Sequence, residues 1–127
     1  MGVVPGCQLL CPMLLTPWPC SPPVVDPRVR GVHTADMIVS PPTLGGPFDY
    51  LNLTICIAGT DICFVHQCLP VTSPTSNCTV TSADCADTAT DCLRAGTNYT
   101  VSAVAVRPDG QTSLVSNVAP FEMPRHT

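Results

Sequence analysis

The sequence contains no lysine, and charged residues make up only 11% of its 127 positions, against roughly 25% in an ordinary soluble domain. Its five basic residues are scattered arginines and its formal net charge is −4, so it lacks the basic patch that a nucleic-acid partner requires. It also lacks an apolar run near the roughly 18 residues that a membrane-spanning helix needs. We therefore expect neither nucleic-acid binding nor membrane insertion by this chain.

Large core side chains and helical patterning are scarce as well. Aromatic residues are 5% of the chain, and no long segment repeats its apolar positions with the roughly 3.6-residue period of a helix. The length fits one domain of roughly 100 residues with an extension. A small core built mostly from Val, Ile, Leu and Ala needs additional stabilisation, and disulfides are a common source of it.

Cysteine, by contrast, is abundant. The chain has nine cysteines, a density typical of disulfide-stapled extracellular domains or of metal sites. Zinc sites in short domains combine two closely spaced pairs of ligands. In this chain the histidines do not form the second ligand pair that a closely spaced pair of cysteines would need. We therefore expect an extracellular or cell-surface protein that carries no metal and no other cofactor. The alternative is a cytosolic zinc-binding protein, with free thiols and a fold that depends on the metal.

No combination of residues predicts catalysis. His66 lies between two cysteines, which would allow a Cys–His dyad, but cysteines in an oxidising compartment favour disulfides. Asp84, Asp87 and Asp91 could offer oxygen ligands to calcium, but their spacing does not fit a 12-residue calcium loop. We expect no catalytic residue and no metal ligand.

Proline divides the chain. Residues 1–31 contain seven prolines, which lack an N–H donor and fix φ, so this stretch predicts a poorly ordered lead rather than a helix or a central strand. The stretch also lacks the basic start and the unbroken apolar region of a secretory signal peptide. The sequence predicts one domain over residues 32–121 and a tail over 122–127.

Two-residue periodicity begins near residue 35. In residues 48–57 apolar and polar side chains alternate, which is typical of a half-buried strand. Residues 35–40 and 62–69 are similar, and residues 99–106 lead through a Pro-Asp-Gly turn to a predicted return strand over 112–118. Short strands with turn signals every 8–12 residues predict an all-β antiparallel sandwich.

The positions of the cysteines on these strands predict local disulfides. A turn at Gly59 and Thr60 places Cys56 opposite Cys63, where a non-hydrogen-bonded antiparallel pair would suit a disulfide best. Six cysteines allow 15 connectivities, so spacing favours local pairs without fixing them. It leaves the three cysteines of the first 20 residues unassigned. The other two predicted disulfides each close a polar loop, Cys68 with Cys78 and Cys85 with Cys92.

Residues 93–101 read Leu-Arg-Ala-Gly-Thr-Asn-Tyr-Thr-Val and resemble the fibronectin type III signature Leu-x-Pro-x-Thr-x-Tyr-x-Val. The chain departs from this family at Ala95, which replaces the usual proline, and the predicted strand over 35–40, which is similar to strand B of the family, lacks the usual tryptophan. The resemblance implies an immunoglobulin-like sandwich in which the Tyr99 hydroxyl returns to nearby backbone and Leu93 is buried beneath it. The cysteine-bounded inserts resemble those of secreted variants of this module.

The resemblance also implies a function. In that family the loop between the last two strands often recognises partners; here it contains Arg107, Asp109 and Gly110, although a tight turn needs such residues anyway. We expect a non-catalytic extracellular binding, adhesion or spacer module that acts through its loops on a protein or glycan, or beside neighbouring domains of a longer chain. The alternative is an accessory domain of a secreted enzyme, such as a glycan-degrading one. Three sequons are possible glycosylation sites: Asn52, Asn77 and Asn98.

Overall fold

The computed structural model of the chain describes residues 22–42, 47–82, 85–86 and 88–125. These residues form β-strands and connecting loops, and none of them is helical. The strands are β1 (Val24–Val29), β2 (Thr34–Ser40), β3 (Tyr50–Ile57), β4 (Cys63–Cys68), β5 (Ser76–Thr81), β6 (Asn98–Val106) and β7 (Ala119–Glu122). They make a three-stranded sheet, β1-β2-β5, and a four-stranded sheet, β4-β3-β6-β7, with every pair antiparallel. The predicted all-β, disulfide-stapled sandwich is confirmed.

Alternation along the strands builds the core. Every second residue of β3, from Leu51 through Leu53 to Ile55, is fully buried, and the register places Leu53 opposite Ala103 of β6. The intervening polar residues lie on the outer face of the four-stranded sheet, as two-residue periodicity requires. The three-stranded sheet contributes Val25, Ala35, Met37, Val39, Cys78 and Val80 to the same core.

The sandwich extends beyond the predicted limits of 32 and 121. β1 forms within the proline-rich lead as an edge strand. It tolerates Pro27 because the backbone of Val25 bonds to Asn117 rather than to β2. The direction of the backbone hydrogen-bonding groups alternates along an antiparallel strand, so the backbone of Pro27, two residues on, also faces away from β2. A missing N–H at that position costs no ladder bond. At the other end, Met123 is fully buried. Of the lead, residues 1–21 lie outside the described residues, and with them Cys7, Cys11 and Cys20.

The segment after the last turn differs from the return strand predicted over 112–118. Regular pairing with β6 resumes only in β7. Before it, the N–H groups of Ser113 and Ser116 donate to the carbonyls of Ala105 and Ala103 at 2.9 and 2.8 Å. The two serine hydroxyls in turn accept the N–H groups of Ala105 and Ala103 at 2.9 and 2.7 Å. Side-chain oxygens therefore replace the carbonyls of a regular ladder.

The strand registers bring three loops to one end of the sandwich. Loop 41–49 joins β2 to β3 there, and the pairing of Leu51 with Cys68 places the loop after β4 at the same end. The N–H of Asp49 donates to the carbonyl of Val106 at 2.7 Å, which adds the turn after β6. We call the described residues of these loops, 41–42, 47–49, 69–75 and 107–111, the loop end. Residues 43–46 lie outside the described residues.

Candidate functional site

The predicted recognition turn, residues 107–111, is held by its own hydrogen bonds. The N–H of Arg107 donates to the carbonyl of Gln111, and that of Gly110 to the carbonyl of Arg107, both at 2.9 Å. A carboxylate oxygen of Asp109 accepts the N–H of Gln111 at 3.0 Å. Gly110 has φ of +87°, a left-handed conformation that favours glycine. The backbone of the turn is therefore fixed without any partner.

Charges at this turn are paired within it. A guanidinium nitrogen of Arg107 lies 3.5 Å from a carboxylate oxygen of Asp109, and the arginine side chain is 22% exposed against 50% for the aspartate. The arginine side chain is therefore mostly buried, while Pro108, Asp109 and Gly110 form the exposed tip of the turn. Recognition by this tip stays a prediction.

The neighbouring loop 69–75 is also ordered from within. The hydroxyl of Ser76 accepts the N–H of Thr72 at 2.8 Å and donates to the carbonyl of Thr72 at 3.2 Å. A disulfide between Cys68 and Cys78 closes its base. Sequence reasoning identified this loop but missed that it shares an end with the turn, because that depends on strand order. The signal that could have revealed it is the number of strands between the two loops. Two strands, β5 and β6, lie between them, and an even number of antiparallel strands returns the chain to the same end.

All three predicted disulfides of the region 56–92 are present. The first links paired residues of β3 and β4 on the outer face, with a Cα–Cα distance of 4.0 Å, close to that of a non-hydrogen-bonded antiparallel pair. The second joins β4 to β5, and therefore one sheet to the other. The third closes the polar loop after β5. The pairs are Cys56–Cys63, Cys68–Cys78 and Cys85–Cys92.

The tyrosine corner implied by residues 93–101 is present in the geometry. The Tyr99 hydroxyl accepts the N–H of Arg94 at 2.7 Å and donates to the carbonyl of Cys92 at 3.1 Å. Leu93 is fully buried. The Tyr99 ring stacks on Phe121 of β7, with 5.6 Å between centroids. The corner fixes the path of the chain into β6 at the end opposite the loop end.

The three sequons lie in different environments. Asn52 is half-buried near the start of β3, between Gln67 of β4 and Val104 of β6. Asn77 is exposed on β5, and Asn98 is exposed at the start of β6. A shallow depression of about 330 Å³ lies beside the last of these, lined by Ala58, Asn98, Tyr99, Pro120, Phe121 and Glu122.

The described residues offer little for catalysis or metal binding. They contain no group of three or more His, Cys, Asp and Glu side chains placed to hold a metal ion. Burial lowers the pKa of His66, but Cys63 and Cys68 on either side of it are both oxidised, so neither is a thiol for a dyad. Of the aspartates considered for calcium, Asp84 and Asp87 lie outside the described residues. In that same described part, no helix is long and apolar enough to cross a membrane.

Comparison with known proteins adds no family. No protein-family model matches the chain, and no curated protein has significant sequence similarity to it.

Proposed function

We propose that this chain is a non-catalytic extracellular binding or adhesion module that contacts a protein or glycan partner through the loop end. The observation that carries this proposal is the convergence of three loops at one end of a disulfide-stapled sandwich. Loops held on a rigid scaffold are common binding surfaces. The same frame would serve as a spacer between neighbouring domains of a longer chain.

Two features support the details of the proposal. Three disulfides join six of the cysteines, and such a density is typical of proteins in oxidising compartments. The corner made by Tyr99 with the backbone of Cys92 and Arg94 supports a fibronectin type III-like identity, since that hydroxyl-to-backbone arrangement recurs in immunoglobulin-like sandwiches.

The test is a binding screen with two matched variants. The oxidised chain is passed over immobilised glycans and extracellular matrix proteins, and hits are remeasured with Asp109→Ala at the loop end and with Asp61→Ala at the opposite end. Both are exposed aspartates in turns. We expect Asp109→Ala to weaken binding by about tenfold or more, as an important interface residue does, and Asp61→Ala to leave it unchanged. Equal effects of the two variants, or no binding to any immobilised molecule, would contradict the proposal.

We also propose that the protein is glycosylated. Asn77 and Asn98 are exposed, whereas Asn52 lies half-buried between two neighbouring strands. After secretion from eukaryotic cells, we expect glycopeptides at Asn77 and Asn98, and each Asn→Gln replacement should remove the mass of one glycan. A fully unmodified secreted chain would refute this part alone.

A further inference from the structure

The free edge of β1 is blocked. An edge strand presents the backbone N–H and C=O groups of alternate residues to solvent, which invites pairing with another strand. On β1 the Asn117 amide accepts the N–H of Val25 at 3.0 Å and donates to its carbonyl at 3.1 Å. Pro27, the next outward residue, has no N–H to offer. A further strand cannot form a regular ladder here.

The free edge of β7 is also protected. The N–H of Met123 donates to the carbonyl of Thr97 at 3.0 Å, so alternation directs the backbones of Pro120 and Glu122 outward. Pro120 has no N–H to donate, and the side chain of Glu122 carries a charge. Proline and charge are the usual protections of a sheet edge.

The free edge of β5 is polar. The N–H of Ser82 donates to the carbonyl of His33 at 2.9 Å, which directs the backbones of Asn77, Thr79 and Thr81 away from β2. All three residues are exposed. They carry no apolar side chain for a second strand to bury.

The free edge of β4 differs from the other three. The N–H of Ile57 donates to the carbonyl of Ile62 at 2.9 Å, so the backbones of Cys63, Val65 and Gln67 face away from β3. The register with β3 is continuous, without a bulge, and β4 contains no proline and no carboxylate, lysine or arginine. Val65, at the centre of β4, is 62% exposed, and Leu69, directly after the end of β4, is 64% exposed.

We propose that β4 pairs antiparallel with β4 of a second copy of this chain, across a two-fold axis at Val65. This register places Val65 opposite Val65 and Cys63 opposite Gln67 of the other copy, joining two four-stranded sheets into one. Each copy has a net charge of −4, which opposes association in general, but these facing positions bring no like charges together.

The properties of the sheet edges favour a second copy of this chain as the partner of β4. A strand that adds to β4 must be extended, uncharged and unpaired on one side. Within the described part of this molecule the edges of β1 and β7 are capped, charged or interrupted by proline, and the outward residues of β5 offer no apolar side chain to bury, so the edge that best fits β4 is a second β4. Pairing of β4 with itself leaves no further edge of this kind, so the assembly closes as a dimer rather than growing into a fibre.

The first test compares two valines of similar exposure, Val65 and Val118. The oxidised full chain is studied by sedimentation velocity over a range of concentrations, with Val65→Lys and with Val118→Lys, whose native side chain is 65% exposed. We expect a concentration-dependent dimer that Val118→Lys leaves unchanged. Val65→Lys should raise its dissociation constant at least about tenfold, because it brings two like charges face to face. A parent chain that stays monomeric at millimolar concentration, or a dimer indifferent to Val65→Lys, would overturn the proposal.

A second variant tests the register directly. Residues of a hydrogen-bonded antiparallel pair have Cα atoms about 5.5 Å apart, within the range that a disulfide spans. In mild oxidant Val65→Cys should therefore form a disulfide-linked dimer on a non-reducing gel, well above the level given by the parent chain and by Val118→Cys. Peptide mapping should find the Val65→Cys position joined to itself. Equal cross-linking of both variants would refute the two-fold axis at Val65, even where Val65→Lys fails to fold.

Discussion

At the scale of single residues, Tyr99 shows how one side chain can fix a loop. Its ring packs on Phe121 while its hydroxyl bonds to the backbone of Cys92 and Arg94. We expect Tyr99→Phe to lower the free energy of unfolding by about 1–3 kcal/mol, because it leaves a carbonyl and an N–H without their partner. Urea denaturation measures the loss. Tyr50→Phe, on the outer face of β3, is the control and should change stability little.

His66 makes the stability depend on pH. Burial lowers its pKa, so the unfolded chain binds a proton first as the pH falls below about 6.5. Stability is therefore complete above the unfolded pKa and is lost as the pH falls toward the folded pKa. Urea denaturation at about pH 7.5 and pH 5 should show a larger loss for the parent chain than for His66→Gln, in which this group cannot titrate. Equal losses in the two proteins would contradict this account.

At the scale of strands, local patterns were sufficient where neighbours in sequence decide the structure. The alternation in β3 and β6 predicted their buried faces, and the turn at Gly59 predicted that Cys56 faces Cys63. β1 was not predicted, because what makes Pro27 acceptable there is the amide of Asn117, which bonds to Val25 from 92 positions away. No local pattern carries that information.

The segment between β6 and β7 was mispredicted as a return strand because it follows a strand and a Pro-Asp-Gly turn, whereas its pairing with β6 uses side chains. The hydroxyls of Ser113 and Ser116 accept the N–H groups of Ala105 and Ala103, and both serines are buried. We expect Ser113→Ala and Ser116→Ala each to cost about 1–3 kcal/mol of unfolding free energy, since each leaves a buried N–H unpaired.

Chemical denaturation measures both serine losses, with Ser102→Ala on the outer face of β6 as the control. If either serine variant is as stable as Ser102→Ala, then water or a backbone shift satisfies the N–H that has lost its partner, and the hydroxyl is not required for pairing. The predicted loss is confined to stability, so the circular dichroism of both variants should remain that of a β protein.

At the scale of the whole molecule, the candidate site depends on how the two sheets are held together. The turn 107–111 could be predicted from its Pro-Asp-Gly sequence, but its proximity to loop 69–75 follows from strand order, which local sequence does not specify. The base of loop 69–75 is the disulfide between Cys68 and Cys78, the one disulfide among the described residues that joins the two sheets. The loop end and the core therefore share a covalent link.

That link should contribute more to stability than the disulfide within the four-stranded sheet. Cys68 and Cys78 are separated by 10 residues and are buried, whereas Cys56 and Cys63 are separated by 7 and lie on the outer face. Loop-closure entropy alone gives a difference of only about 0.3 kcal/mol. Replacing the buried pair with alanine also leaves space in the core, which should cost at least about 1 kcal/mol more. Urea denaturation of the two double-alanine variants measures this difference, and equal losses would mean that the buried disulfide stabilises only by closing a loop.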